Sequence, residues 1–564
     1  MKEQFAMESV LDCLVLVLLM VVTGIISRIM PRAFPAPIIQ ITLGALVAVF
    51  FPAFRIGFNP ELFMLLFVPP LLFNDSWRFP KREFLSNSRP IITLSIGLVF
   101  FTVFGIGFLV HWLIPQIPLP AAFALAAALS PTDAVTLKAI TTLNRLPDKI
   151  MHILQGEALL NDASGLVSFK FAVAAMLTGV FSLNKALFSL LVVSLGGLAV
   201  GALLTYLFIV LLGQMRPNHT QETTTENLLL LLLPFSVYFV AEKLEFSGIL
   251  AAVAAGFTID KAGFLDRTMA TMRIEGRFIW GMLDITFNGL IFILLGLYLP
   301  QALKLLENTG YRLLDCFTIV AAITLALFLL RAVWIYLTLP FEAILAKHKK
   351  SSWHLPHLRV IAVISLSGVR GAIALAAILS LPAFLPDINR FPARDLMITL
   401  VVGVVLFSLL LSTLLLPLIL PGLNKLFANP SHNEENEAIA AAARAAIKAI
   451  EVQEVTLAQT LNAEDTLLCK QVAQGLITGL KQYIASSVGD EMEKQTSMKA
   501  LYFEETMRLA ALEDARQALR SLRRQRKINN TTMMAVIAKL DLRQITLAHS
   551  HQSFQLNTVT APNN

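Results

Sequence analysis

The sequence predicts an all-α protein that crosses a membrane many times. Its 564 residues have a mean hydropathy of +0.70, and only 15% of them are charged, a balance far from that of a soluble globular protein. About thirteen apolar runs are long enough to span a bilayer. The net charge of +7 is explained by lysine and arginine in cytoplasmic loops. We therefore expect the lipid bilayer, and no nucleic acid, as a partner.

The predicted spans follow one another up to residue 420. The first is interpreted as a membrane helix and not as a secretory signal, because no small-residue cleavage site follows it. The runs lie near 10–29, 36–53, 61–76, 90–113, 118–142, 150–178, 184–213, 225–242, 246–260, 278–299, 313–339, 359–380 and 396–420. Three scattered cysteines without metal-ligand spacing indicate neither a disulfide framework nor a zinc site. We expect no cofactor.

Basic residues in the loops predict the orientation. If the N-terminus lies outside, the inside loops hold 18 lysines and arginines, and the opposite loops hold 7. Short loops rich in lysine and arginine stay in the cytoplasm. We therefore expect a protein of the cell membrane, with its N-terminus outside and its C-terminus in the cytoplasm.

The composition changes after residue 427. Residues 1–427 are predicted to form the transmembrane domain, and residues 428–564 a helical cytoplasmic tail that we expect to be regulatory. Its helical runs lie near 435–460, 465–485 and 490–527, and the last run ends in a cluster of basic residues. This cluster either touches anionic lipid or the transmembrane domain, or it is a solvated helix face.

The fifth run contains a helix breaker, in the sequence Ser130-Pro131-Thr132-Asp133. Proline removes a backbone donor and disfavours helical geometry in the residue before it. The helix should therefore break here and expose carbonyl groups beside Thr132 and Asp133, which requires protein or a cavity next to the break. A plain proline kink with Asp133 capping the second half-helix is an alternative, and the two interpretations are compatible.

The sixth run carries two carboxylates and an amide. At about 1.5 Å per residue, Asp162 lies about 18 Å into this run, near the middle of a hydrocarbon layer of about 30 Å. Glu157 and Asn161 share one helix face, and Asp162 is turned about 100° further round. We expect Glu157 to face a partner helix and Asp162 to face a cavity, and a purely structural Asp162 is the alternative.

The twelfth run places Arg370 near the same depth, between Gly368 and Gly371. A buried arginine needs an anion, and Glu157 is the first candidate for an ion pair with Arg370. The interrupted fifth and twelfth runs are seven crossings apart, so they pass through the membrane in opposite directions. Inverted repeats whose two broken helices cross at the midplane are typical of secondary transporters.

Three further polar residues are secondary candidates. Asn74 and Asp75 close the third run at its cytoplasmic end, where they either line an ion entrance or cap the helix. Arg331 lies in the cytoplasmic half of the eleventh run and is long enough to reach the membrane surface.

At these residues the chain resembles the monovalent cation:proton antiporters of the sodium/proton exchanger family, both the bacterial NhaP type and the animal exchanger type. The motifs follow the family's order across residues 10–420. They are Pro69-Pro70-Leu71-Leu72-Phe73, Ser130-Pro131-Thr132-Asp133-Ala134, Glu157-Ala158-Leu159-Leu160-Asn161-Asp162, Phe246-Ser247-Gly248-Ile249-Leu250-Ala251, Asn288-Gly289-Leu290-Ile291-Phe292 and Gly368-Val369-Arg370-Gly371.

The resemblance implies a thirteen-helix fold, a homodimer, and a core domain that moves an ion site past a fixed dimerisation domain. Asp162 would bind the cation and the proton in competition. Thr132 and Asp133 would belong to the unwound helix at this monovalent-cation site, and Glu157 would pair with Arg370.

The resemblance also bears on stoichiometry and ion choice. Asn161 precedes the essential aspartate, and in this family an asparagine there accompanies electroneutral exchange of one cation for one proton. Many relatives carry a glutamate where this chain has Asn74, and some carry a serine where it has Ala158. The implied function is Na⁺/H⁺ exchange without an enzymatic reaction, and the alternatives are K⁺/H⁺ exchange and a cation channel or sensor on the same scaffold.

Overall fold

Helices make up the regular elements of the part of the chain that the structure describes. The computed structural model describes residues 2–30, 34–51, 60–141, 146–178, 183–214, 223–261, 270–307, 310–347, 358–371, 373–384, 391–421, 431–459, 463–488, 491–525, 527, 532–533, 536–537 and 540–541. The chain divides into two units, Met1–Phe427 and Ala428–Asn564. The boundary itself lies outside the described residues.

In the first unit we number the described helices α1 to α18. They are α1 Lys2–Ile29, α2 Ala36–Phe50, α3 Pro60–Leu66, α4 Val68–Arg78, α5 Lys81–Ser86, α6 Ser88–Ile92, α7 Leu98–Leu113, α8 Leu119–Ala128, α9 Ala134–Ile140, α10 Asp148–Thr178, α11 Leu183–Gln214, α12 Thr223–Lys243, α13 Gly248–Lys261, α14 Ala270–Glu307, α15 Leu313–Lys347, α16 Leu358–Leu366, α17 Ile373–Leu379 and α18 Arg394–Ile419. A π-helical turn, Thr93–Gly97, joins α6 to α7.

Seven of the described helical segments are long and apolar enough to cross a membrane. They are Ser88–Leu113, Asp148–Thr178, Leu191–Leu212, Thr225–Lys243, Met272–Glu307, Leu313–Thr338 and Arg394–Ile419. Shorter apolar segments include Leu14–Ile29, Ala36–Phe50 and Leu119–Ala128. The prediction of an all-α polytopic membrane protein is confirmed, and the count of about thirteen spans stays a prediction.

The two predicted helix breaks are present. Helix α8 ends at Ala128 and α9 begins at Ala134, with Pro131 between them. Helix α16 ends at Leu366 and α17 begins at Ile373. Non-helical backbone therefore interrupts both runs where the proline and the paired glycines predicted it.

The two interrupted segments lie against each other. The backbone N–H of Asp133 donates to the carbonyl of Val369 at 2.8 Å. A Cβ atom added to Gly371 would lie 3.0 Å from the Cβ of Asp133, so the close approach requires glycine there. The predicted crossing of the two broken helices is confirmed.

The π-helical turn before α7 receives donors from two other helices. Ser164 on α10 donates its hydroxyl to the carbonyl of Ser95 at 2.6 Å, and the indole N–H of Trp334 on α15 donates to the carbonyl of Thr93 at 3.1 Å. The Ser164 bond ties α10 to the turn two residues beyond Asp162 and helps to set the rotation of α10 about its axis, and the Trp334 bond ties α15 to the same turn.

The second unit contains three long helices, which we number α19 Ser431–Ala458, α20 Ala463–Val488 and α21 Glu491–Arg524. Helix α19 packs on α20, and α20 packs on α21. Arg516 on α21 forms an ion pair with Asp541. The described arginines at the end of α21, which include Arg520, Arg523 and Arg524, are exposed to solvent or nearly so.

Candidate ion-binding site

A cavity of about 270 Å³ lies between α4, the interruption between α8 and α9, α10, α14 and the interruption between α16 and α17. It reaches the surface at the exposed side chain of Lys138. Its polar and charged lining residues are Asn74, Asp75, Arg78, Thr132, Asp133, Lys138, Gln155, Asp162, Asp284 and Asn288. The fold thus brings together five of the predicted site residues, which come from three different runs.

Asp162 lines this cavity from α10. Its side chain is buried, with 6% of its surface exposed, and it forms neither a hydrogen bond nor an ion pair with the residues that the structure describes. Asp133 and Asp75 are the charged groups that act on it electrostatically, and both repel a negative charge. Asp162 is therefore a buried carboxylate whose oxygens are open to a cation or a proton from the cavity.

Asp133 occupies the N-cap position of α9. Its Oδ1 accepts the backbone N–H groups of Val135 at 2.9 Å and Thr136 at 3.1 Å, and its Oδ2 accepts the hydroxyl of Thr136 at 2.5 Å. Asp133 therefore caps the second half-helix, as the alternative interpretation of this residue predicted. Because Asp133 also lines the cavity, its remaining lone pairs face the same space as Asp162.

Thr132, which lines the cavity, and Asn161 belong to one hydrogen-bonded chain. The hydroxyl of Thr132 donates to Glu157 Oε1 at 3.3 Å and accepts from Asn161 Nδ2 at 2.8 Å. Since the single hydroxyl proton goes to Glu157, Asn161 must present its N–H to Thr132. The buried Asn161 Oδ1 has no hydrogen-bond partner among the described residues, so it is a free carbonyl oxygen one residue from Asp162.

The predicted ion pair between Glu157 and Arg370 is wrong, because Arg331 is the partner of Glu157. Both Arg331 Nη1 and Nη2 bind the Glu157 carboxylate at 2.5 Å, and both residues are 1% exposed. Arg331 Nε donates to the carbonyl of Ile364 at 2.9 Å. Arg331 therefore does not reach toward the membrane surface. Helix α15 continues to Lys347, which makes Arg331 the nineteenth of its 35 residues and places it in the middle of the helix.

Arg370 binds backbone oxygens instead of a carboxylate. Its Nη1 donates to the carbonyl of Ser130 at 2.5 Å and to that of Pro131 at 3.2 Å. These carbonyls are available because the interruption of the helix removes their intrahelical donors. Arg370 thus holds the first interruption against the second. The exposed carbonyls of a broken helix can thus hold a buried guanidinium in place of an acid, although Arg370 Nε has no hydrogen-bond partner among the described residues.

Two residues of the site were missed by the sequence analysis. Asp284 lines the cavity from α14, where it accepts a hydrogen bond from Asn288 Nδ2 at 2.8 Å, and Lys138 lies at the rim. Asp284 falls within the predicted run 278–299, and a carboxylate inside an apolar run is itself a signal of function. That signal was present in the sequence and was not used.

Comparison with known proteins settles the family. The transmembrane family model described as sodium/hydrogen exchanger matches residues 15–421. The chain belongs to the sodium/hydrogen exchanger family. Members of this family are membrane transporters and not enzymes, and they exchange a monovalent cation for a proton. The chain is thus a multi-pass membrane transporter for cation/proton exchange, as the motifs indicated.

Relatives of the sodium/hydrogen exchanger family cover most of the chain. It is 41% identical to the uncharacterized Na⁺/H⁺ exchanger YjcE of Escherichia coli K12, over 97% of this chain and 100% of that protein. It is 40% identical to a protein of Bacillus pumilus named sodium, potassium, lithium and rubidium/H⁺ antiporter, over 79% of this chain and 66% of that protein.

The fold is shared with a solved member of the family. The sodium proton antiporter MjNhaP1 of Methanocaldococcus jannaschii matches with a TM-score of 0.56 and 19% identity, over 74% of this chain and 99% of that one. At this identity the likeness concerns the fold.

Proposed function

We propose that this chain exchanges a monovalent cation for a proton, and that Asp162 carries each of them in turn. Na⁺ is the first candidate for the cation. The observation that carries the proposal is the setting of Asp162. This buried carboxylate lines the cavity beside the crossed interruptions, and it has no partner among the described residues. Thr132 and Asp133 on the first interruption, with the free Oδ1 of Asn161, are proposed as further oxygen ligands.

The coupling follows from the cost of moving charge through the bilayer. Burial disfavours the bare carboxylate, so a proton and a small cation compete for Asp162. The loaded forms of Asp162 are neutral at that residue, whereas the empty anion would carry a bare charge through a low-dielectric barrier. Exchange is then coupled because only a loaded Asp162 passes between the two sides.

A stoichiometry of one cation for one proton is supported by the neighbours of Asp162. The Asn161 amide does not titrate, Glu157 is committed to Arg331, and Asp133 caps α9. Of these four residues, Asp162 is the one whose carboxylate has no partner among the described residues, so we expect it alone to exchange a proton. We propose electroneutral transport on this ground.

The orientation predicted from the loops also predicts the side of the membrane to which the cavity opens. Arg78 and Lys138, which line it, belong to the loops that the basic-residue bias assigns to the cytoplasm. The cavity would then open to the cytoplasm, with the N-terminus outside and the tail inside. We also propose a homodimer in the cell membrane, in line with the family resemblance.

The cation selectivity has a second candidate. The Bacillus pumilus relative is named for sodium, potassium, lithium and rubidium, and this chain has Asn74 in place of a carboxylate that many relatives carry. An amide in place of a carboxylate lowers the negative charge of the site and weakens its preference for a small, strongly hydrated ion. K⁺/H⁺ exchange is therefore the alternative.

The experiment is an ion series in proteoliposomes that contain the purified protein and a pH-sensitive dye. With a pH gradient that is acid inside the liposomes, pulses of external Na⁺, Li⁺, K⁺ or Rb⁺ should dissipate the gradient. The rank of the KM values for the four cations gives the selectivity. Dissipating the membrane potential with a lipophilic cation should leave the rate unchanged. Asp162→Asn should abolish the response to every cation, whereas Glu307→Gln, an exposed change outside the cavity, should not alter it. Normal exchange by Asp162→Asn would refute the assignment.

A further inference from the structure

Asp284 is a cavity carboxylate for which the exchange mechanism above has no use. It lies on α14, and the cavity surface that it lines includes Asp75 on α4. Both side chains are partly exposed, whereas Asp162 is buried, and Lys138 at the rim is exposed. Asp75 and Asp284 are therefore the more accessible carboxylates of the cavity, and they line it together with the exposed Arg78 and Lys138.

The two carboxylates are close enough to interact. Asp284 is one of the charged groups that act on Asp75, together with Asp133, Lys138 and Arg78, and all five line the cavity. Neither Asp75 nor Asp284 forms an ion pair with a basic residue in the part of the chain that the structure describes. Four carboxylates and two basic side chains line the cavity, so it carries a net charge of −2 when all of them are ionised. Such a cavity concentrates cations.

A buried amide beside these carboxylates points independently to a ligand. Asn74 lines the same cavity and is 1% exposed, yet neither its Oδ1 nor its Nδ2 has a hydrogen-bond partner among the described residues. Buried polar groups are ordinarily paired, because an unpaired one costs about 1–3 kcal/mol. A cation in the cavity would satisfy the amide oxygen of Asn74.

Asp284 is held in place for such a role. Asn288 lies one turn further along α14 and donates its Nδ2 both to the carboxylate Oδ1 of Asp284 at 2.8 Å and to the backbone carbonyl of Asp284 at 2.9 Å. One carboxylate oxygen is thereby fixed, and the side chain loses little further freedom when an ion binds. Preorganised ligands bind more tightly for this reason.

We propose that Asp75 and Asp284, with the amide oxygen of Asn74, form a second cation site in the cavity, at which the transported monovalent ion is held before it reaches Asp162. Oxygen ligands of this kind suit hard cations. The nearby charges of Arg78 and Lys138 offset part of the negative charge and favour a monovalent ion over a divalent one. This inference rests on the proposed exchange function, which supplies the ion.

The test compares Asp284→Asn, Asp75→Asn and the double variant with Glu307→Gln, which removes an exposed charge from the same helix α14 outside the cavity. In the proteoliposome assay, each single variant should raise the KM for Na⁺ about three- to tenfold on the side to which the cavity opens, with kcat within about twofold. Asp284→Glu should restore the KM. An unchanged KM in both single variants, or a fall in kcat with KM unchanged, would overturn the second site.

Cation binding without transport separates this inference from the exchange proposal. The increase in Tm produced by added Na⁺, relative to choline at the same ionic strength, should persist in Asp162→Asn and disappear when Asp75→Asn and Asp284→Asn are added to it. If Na⁺ gives no increase in Asp162→Asn while it does so in the wild type, the second site is refuted. If the wild type itself fails to exchange, the proposed function fails instead.

Discussion

Helix α10 carries two buried carboxylates five residues apart, and their surroundings are opposite. Glu157 is enclosed by the guanidinium of Arg331 and the hydroxyl of Thr132. Asp162 lines a cavity and has no partner among the described residues. The two faces of one helix therefore separate a structural charge from an available one.

The difference shows how a carrier carboxylate can exist inside a membrane protein. A buried ion pair is held by both partners and is expensive to break, so Glu157 cannot exchange its partner for an ion from solution. The Arg331 pair instead fixes Glu157, and through Thr132 it fixes Asn161. Asp162 stays unpaired beside this rigid network, which suits it for reversible binding.

The strongest test of this contrast is the effect of neutralising each acid on transport and on stability. Asp162→Asn should lower cation-dependent proton movement to background while Tm changes by at most a few degrees, because no described partner is left unpaired. Glu157→Gln should instead lower Tm clearly. Proteoliposome transport and thermal unfolding in detergent measure the two effects. The same loss of Tm in both variants would remove the distinction between the acids.

The next prediction concerns the partner of Glu157. Glu157→Ala or Arg331→Ala leaves one buried charge alone and should destabilise the protein by about 3–5 kcal/mol. A double-mutant cycle should show strong coupling between Glu157 and Arg331, and weak coupling between Glu157 and Arg370, whose guanidinium binds carbonyls. Denaturation in detergent supplies the free energies. Stronger coupling of Glu157 to Arg370 would contradict the ion pair that is described here.

A smaller effect is expected for the hydrogen bonds by which Thr132 links Glu157 to Asn161. Thr132→Val keeps the shape of the side chain and removes the hydroxyl that links Glu157 to Asn161. The buried Nδ2 of Asn161 then lacks an acceptor, and the loss should be about 1–3 kcal/mol, accompanied by a higher KM for the cation. Thr42→Val is the control, since the hydroxyl of Thr42 bonds only within α2. Equal effects of the two changes would show that the link does not position Asn161.

An effect of similar size is expected for the contact of α10 with the first interruption. A Cβ on Gly165 would lie 2.7 Å from Cγ of Pro131 and 2.9 Å from Oγ of Ser130. Gly165→Ala should cost about 1–3 kcal/mol by overpacking, and it should move Asp162 relative to the interruption, which would raise the KM for the cation. Gly281→Ala on α14 meets nothing within 4 Å and should be neutral or slightly stabilising. A gain in Tm for Gly165→Ala would contradict this close packing.

Many features of the site could be predicted from single segments. Pro131 and the glycines around Arg370 predicted the two interruptions, and the position of Asp162 in its run predicted its burial. The turn of about 100° from Asn161, which shares a face with Glu157, to Asp162 predicted that Glu157 and Asp162 would face different surroundings. Each of these properties follows from helix geometry within one stretch of chain.

The errors concern properties that depend on two segments. An ion pair between Glu157 and Arg370 was predicted because both lie at a suitable depth, and Asp284 was not predicted as a cavity residue. Arg331, the real partner, is 174 residues away from Glu157 in sequence. The position of a residue along its helix predicts its depth, but not the neighbouring helix that it faces.

The sequence by itself determined the helical membrane fold, its two interruptions and the burial of Glu157, Asp162 and Arg370, because hydrophobicity and helix breaking are local properties of the chain. Only the tertiary structure decided that Arg331 pairs with Glu157, that Arg370 binds the carbonyls of the other interruption, and that Asp284 shares a cavity with Asp162. The reason is that the rotation of each helix about its axis is set by packing against its neighbours, and that packing is settled by the fold as a whole.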